Sequence, residues 1–284
     1  MILKNKDIHS ESYVQTVWRR FRRHRLAAIS LVILTVIVAA ALLAPVIAPY
    51  DPTLTSVTTY AKPSAEHWLG TNDVGQDIFS ELIYGTRISM LIGVFAAAIV
   101  TIIGTLFALL SAWYGGIVDK AVTALTNLAM AVPGLALTTL LVCYLSPGKI
   151  SIIVAISITA WTGTTRVLRS RILALTEEPF VKIEKAIGQR DLVIMGKHLV
   201  PNLKDIILSR GAMAVSSAMM TEASLSFLGL GEFGEKSWGA ILHYAFFRNG
   251  VIRGFTWWYL PPILCTSLAV LGFMLVGYYG QQSR

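Results

Sequence analysis

Few side chains in this sequence could do covalent chemistry, and those few are scattered. The five histidines, His9, His24, His67, His198 and His243, sit in different segments, do not pair at metal-ligand spacing, and include no H-E-x-x-H. The stretch "GLGEFGEKS" (229–237) resembles a phosphate-binding loop at first sight. It fails because Glu235 separates Gly234 from Lys236, where G-x-x-x-x-G-K-[S/T] needs them adjacent. Cys143 and Cys265 lie in apolar segments and read as small core hydrophobes, not as a disulfide or a metal cage. No catalytic residue, bound cofactor or metal is therefore expected. What remains is an ionic oddity. Glu222 interrupts an apolar run, where a charge at the bilayer centre costs roughly 3 kcal/mol, and Thr221, Ser224 and Ser226 add polar groups around it. Such a residue faces a solute path or a subunit interface, or else is an outer-end acid that reaches headgroups.

The elements that must position these residues are membrane spans. Hydrophobic residues make up 55% of the chain and charged ones 14%, and the mean hydropathy is +0.63. Uncharged runs cover Leu26–Tyr50, Ile88–Val118, Ala121–Gly148 and Gly254–Ser283, of 25, 31, 28 and 30 residues. Each exceeds the roughly 20 residues that cross a hydrocarbon core. Ile150–Thr165 has only 16, but "VLRSRILAL" extends it if its arginines snorkel to the interface. A further span is expected over 206–228, around Arg210 and Glu222. The expected fold is all-α and polytopic, with six transmembrane helices at about 26–48, 88–113, 121–145, 150–170, 206–228 and 257–280.

Charge sets the orientation. With the amino terminus inside, the inner segments hold 18 Lys and Arg and the outer ones 6, the bias expected of cytoplasmic loops. Both termini are then cytoplasmic. The cluster "WRRFRRHR" before the first span reads as an anchor on anionic lipid, so the net charge of +8 does not imply nucleic acid. Residues 1–25 form a cytoplasmic segment and 26–284 a single membrane domain. The first span, with no small-x-small cleavage pattern, is expected to stay as an anchor.

Two connections carry structure of their own. In the outer loop 51–87, "TNDVGQDIFSELIYGTR" reads as a short amphipathic helix in the interface plane, with Asp73, Asp77 and Glu81 as an acidic stripe and Trp68 and Tyr84 at headgroup depth. In the third span, Pro133 removes a backbone hydrogen bond and kinks the helix, a possible gating hinge.

The other connection, 171–204, is the most polar part of the chain. The stretch 166–204 has eight Lys and Arg and four acids, about 35 kcal/mol if all twelve entered the bilayer, so it is cytoplasmic. Its pattern is helix, break, helix. Pro179 opens a first helix whose Phe180, Ile183 and Ile187 form an apolar stripe, and Gly188 ends it. Asp191 caps a second helix with Leu192, Met195 and Leu199 on its stripe, and Pro201 ends that one. Two amphipathic helices joined at a glycine fit a docking surface for another protein, or a self-packed hairpin.

This arrangement resembles the "EAA" loop of ABC importer permeases, E-A-A-x-x-x-G followed by an apolar stretch and proline. Here the pattern falls on Lys182, Ile183, Glu184 and Gly188, with "HLVPN" downstream; the glycine and the ending match, and Lys182 stands where the glutamate is usual. "HWLGTNDVGQDIFSELIYGTRISM" is similar to the outer-loop signature of C-type permeases of the dipeptide/oligopeptide/nickel family, with Asn72 and Gln76 replacing its usual Asp and Arg. "TEASLSFLGLG", "SWG" and "YDP" match that family as well. The resemblance implies a type I importer architecture and a non-catalytic subunit that forms half of a path for di- or oligopeptides. It further implies a B-type sister permease, two cytoplasmic ATPases that use ATP and Mg, and an external solute-binding protein. Phe180, Lys182, Ile183, Glu184, Ile187, Gly188, Asp191, Leu192 and Pro201 would meet an ATPase. Pro133, Thr221, Glu222 and Ser224 would lie on the path or the permease interface. Import of nickel or a metal–chelator complex by the same architecture, or a stand-alone secondary transporter, are the alternatives.

Overall fold

A computed structural model describes residues 24–281. The basic amino-terminal cluster lies almost wholly outside them, as do the last three residues. Among the described residues the regular structure is helical, with one isolated bridge between Thr71 and Asp77.

α1 (Arg25–Leu42) breaks at Leu43 and α2 (Ala44–Ile47) follows as a single turn. α3 (Ile78–Tyr114) has 37 residues, about 55 Å, far longer than a bilayer core needs. α4 (Gly116–Ala131) and α5 (Gly134–Leu145) are the halves of one apolar stretch, bent by 88° at Val132–Pro133. The expected kink at Pro133 is thus a full break. α6 (Lys149–Thr176), α9 (Val200–Phe227), α10 (Trp238–Phe247) and α11 (Thr256–Gln281) complete the bundle.

Four helices, α1, α3, α6 and α11, are long and apolar enough to cross a membrane, and the bent pair brings the number to five. α9 is as long as α6 with 28 residues, but Lys204, Asp205, Arg210 and Glu222 lower its apolar content. The ring of His24 stacks on Tyr279 at 5.0 Å, so the start of α1 and the end of α11 meet at one end of the bundle. α3 packs along α6, where the Thr165 hydroxyl donates to the Gly104 carbonyl at 3.2 Å, and α9 lies against both α3 and α11.

The outer loop departs from its expected form. No interfacial helix spans 71–87. Asp77 is the N-cap of α3, accepting from the Ser80 amide at 2.8 Å, so residues 70–77 fold as a tight loop and 78–87 are the first turns of α3. The acidic stripe dissolves, because Asp73 stays in the loop while Asp77 and Glu81 are buried. A side chain that can cap decides where a helix starts, and periodicity upstream of the cap then means nothing.

The inner connection also departs in its second half. α7 (Pro179–Ala186) ends as expected, but Pro201 does not end the next helix. α8 (Asp191–Ile194), a π-turn (Met195–Leu199) and α9 run on continuously. Pro201 lies in the first turn of α9, and the wider π register just before it absorbs the missing N–H, with Val200 donating to the Met195 carbonyl. Asp191 is the first helical residue and not the cap; Arg190 holds that position without a side-chain bond. An acid in the first turn still complements the helix dipole.

Candidate functional site: an exposed elbow and an outer clasp

The elbow at 177–202 has an anchored side and a bare side. Val181, Ile194, Met195 and Leu199 bury against Ala108 and Trp113 of α3, Leu168 and Ile172 of α6, and Leu203 of α9. Lys185 lies over the Trp113 ring at 4.0 Å, and His198 meets Glu184 at 3.5 Å across the turn. The elbow is therefore fixed to three long helices. On the other side Ile183, Ile187 and Leu192 are 61%, 72% and 77% exposed, and Phe180 is at the edge of exposure. Leu192 thus parts from Met195 and Leu199, which turn inward, so the second stripe expected from the sequence is split between core and surface.

Gly188 makes the corner. It holds φ +78°, which an L side chain adopts only under strain, and nothing crowds it. The Gly188 amide donates to the Lys185 carbonyl and the Gln189 amide to the Glu184 carbonyl, the paired bonds that close a helix with a left-handed residue. Lys182 pairs with Glu177 at 2.9 Å and holds that carboxyl below the usual glutamate range. The position that departs from the family pattern is thus spent on an ion pair within the elbow. Val181 packs α7 against α6, and the π-turn joins the elbow without a break to α9.

Glu222 is not at a headgroup. It is fully buried, accepting from Ser89 of α3 at 3.1 Å and from Ser226 of its own helix at 2.8 Å. Ser89 in turn accepts from the Trp238 amide at 3.2 Å, so Glu222 ties α3, α9 and the start of α10 together. Thr221 and Ser224 turn back to the carbonyls of Ser217 and Met220 and do not join it. Pro133 is far along the chain on the bent pair and is exposed.

Sequence reasoning missed two ionic clusters. One is an outer clasp. Lys236 reaches from the loop before α10 to Glu81 at 2.7 Å and to the Gln76 amide oxygen at 2.8 Å, while Asn72 donates to Glu81 at 2.9 Å. Arg248 meets Asp73 at 3.1 Å, His67 meets Asp77 at 2.9 Å, and Lys149 pairs with Glu235. A cation at position 76 would face Lys236, so the neutral Gln76 suits this clasp. The other cluster joins α3, α4 and α6. Arg169, expected to snorkel, donates twice to Asp119 at 2.6 Å and pins the α3–α4 turn to α6.

The comparisons with known proteins now have a geometry to meet. Residues 12–64 match the N-terminal TM domain of oligopeptide transport permease C, and 101–282 match the binding-protein-dependent transport system inner membrane component. The second match takes in the elbow, α9 and Glu222. The chain belongs to this family of inner-membrane permeases. The dipeptide transport system permease protein of Bacillus subtilis (strain 168) is 32% identical over 94% of this chain and 84% of its own length. The oligopeptide transport system permease protein of the same organism is 34% identical over 91% and 84%. A glutathione transport system permease protein of Pectobacterium atrosepticum is 31% identical over 92% and 86%. As an ABC importer permease of the peptide transport family, the chain is a multi-pass membrane component whose long helices, elbow and outer clasp are parts of one membrane subunit.

Proposed function

We propose that this permease forms half of the translocation path of an ATP-driven peptide importer, with both termini cytoplasmic and the elbow docked on an ATPase. The observation that carries this is the bare apolar row Phe180, Ile183, Ile187 and Leu192 on a corner fixed to α3, α6 and α9. A row of that kind left in water is a surface for a partner. The relatives named for dipeptides, oligopeptides and glutathione favour peptides as the solute. The complex would hold a second, B-type permease, two cytoplasmic ATPases that bind and hydrolyse ATP with Mg, and an external solute-binding protein. Closure of the ATPases would move the elbow and bias the attached helices between inward and outward access, and the coupling must act equally in both directions. The chain itself would catalyse nothing.

Gly188→Val tests this. A β-branched residue at φ +78° costs about 1–2 kcal/mol of local strain, enough to turn the corner while the core stays folded. The variant should insert and assemble with its partners, yet solute-stimulated ATP hydrolysis and import should be lost together. Normal coupled import by Gly188→Val would refute the assignment of the elbow.

A further inference from the structure

One face of α6 is polar where a lipid-facing helix would not be. Thr159, Gly163, Arg166 and Ser170 follow one another at intervals of four, three and four, so they share a face. Thr159 and Gly163 are half-buried, and Arg166 and Ser170 are exposed. The bent pair flanks this stripe. Thr138 of α5 meets Thr159 at 3.1 Å, and Arg166 donates to the Asn127 side chain of α4 at 3.2 Å.

Arg210 enters the stripe from α9. A guanidinium nitrogen lies 3.5 Å from where a Cβ on Gly163 would stand. Gly163 is at the middle of α6, and the neighbouring Gly211 faces Thr101 in the middle of α3, so the charge sits deep in the bundle. Among the described residues its Nε is buried without a hydrogen-bond partner, and its guanidinium's polar contact is the Met213 sulfur at 3.7 Å. The other cations held in the fold differ, since Arg169 has Asp119 and Lys236 has Glu81. A guanidinium at membrane depth is costly and needs an anion, and its planar fork suits a carboxylate. Half-buried beside an open polar stripe, it is placed for an anion that arrives and leaves.

We infer that this stripe is the stretch of solute path contributed by the subunit, and that Arg210 binds the free carboxylate of a peptide in transit. The side-chain amide of Asn127, exposed and held by Arg166, supplies a donor for a peptide backbone beside it. This rests on the reading of the chain as a peptide permease.

The test uses the whole complex in proteoliposomes with its solute-binding protein, supplied with tetra-alanine as the free acid or as the C-terminal amide. Both are given at concentrations that saturate the binding protein, so that discrimination arises in the membrane. Wild type should import the acid faster. Arg210→Gln should erase that preference and slow import of the acid about tenfold, the worth of one charged hydrogen bond. Arg210→Lys should import more slowly while keeping the preference. Equal rates for acid and amide in wild type would overturn the inference while leaving peptide transport intact. So would Arg210→Gln importing the acid at the wild-type rate, or losing the sister permease on purification, which would make Arg210 a subunit contact. Import of neither peptide by wild type would remove the peptide reading itself, and this inference with it.

Discussion

The elbow and the outer clasp are built in opposite ways. The clasp buries its central charge: Glu81 is 1% exposed and is met by Lys236 and Asn72, with Gln76 alongside. The elbow buries its aliphatic back and leaves an apolar row outside, with its charges in exposed pairs such as Lys182–Glu177. A region that satisfies its own polar groups holds itself together. A region that leaves greasy side chains in water is waiting for something to cover them.

The contrast is sharpest where one change should do most damage. Lys236→Met leaves Glu81 buried without its cation, which should cost about 3–5 kcal/mol. Unfolding of the purified subunit in detergent would show it as a large loss of stability; no loss would mean that Asn72 alone satisfies Glu81. Ile183→Asp should do the reverse, with stability changed by no more than about 0.5 kcal/mol, as for an ordinary surface site. Coupled ATP hydrolysis should nevertheless fall steeply. A stability loss as large as that of Lys236→Met would place Ile183 in the core and break the contrast.

The smallest effect is expected at Lys182. Lys182→Ala should leave stability unchanged at neutral pH, because the pair is exposed. Lys182 holds the Glu177 carboxyl below its ordinary value. Any contribution is therefore full above the usual glutamate range and fades as pH falls through the lowered value. A wild-type minus variant difference that grew on acidification would contradict that sign.

How much of this was legible depended on whether the deciding contact was local. Phe180, Ile183 and Ile187 and the stop at Gly188 were readable because a stripe and a left-handed glycine are settled within about ten residues. Pro201 was misread as a terminator since its local rule holds equally at a helix start, and only the π-turn before it shows which applies. Leu192 shares a spacing with Met195 and Leu199, but α3 and α6 choose which of them to bury. Asp73, Asp77 and Glu81 kept helical spacing on paper until the cap at Asp77 left Asp73 in the loop and only Glu81 in the helix. The partner of Glu81 is Lys236, too far along the chain for any spacing rule to find. At Pro133 a kink was readable; the full break and its 88° were not, because neighbouring helices set the angle.

The central claim is that the bare side of the elbow is where an ATPase takes hold. With Cys143 and Cys265 replaced by serine, Ile183→Cys and Val181→Cys can be compared in membranes from cells that co-express the ATPase subunits. A short thiol-to-amine cross-linker should join Ile183→Cys to an ATPase, while Val181→Cys, wholly buried against α3 and α6, should give no adduct. An ATPase adduct absent from Ile183→Cys, while cysteines on the outer clasp yield one, would contradict the account.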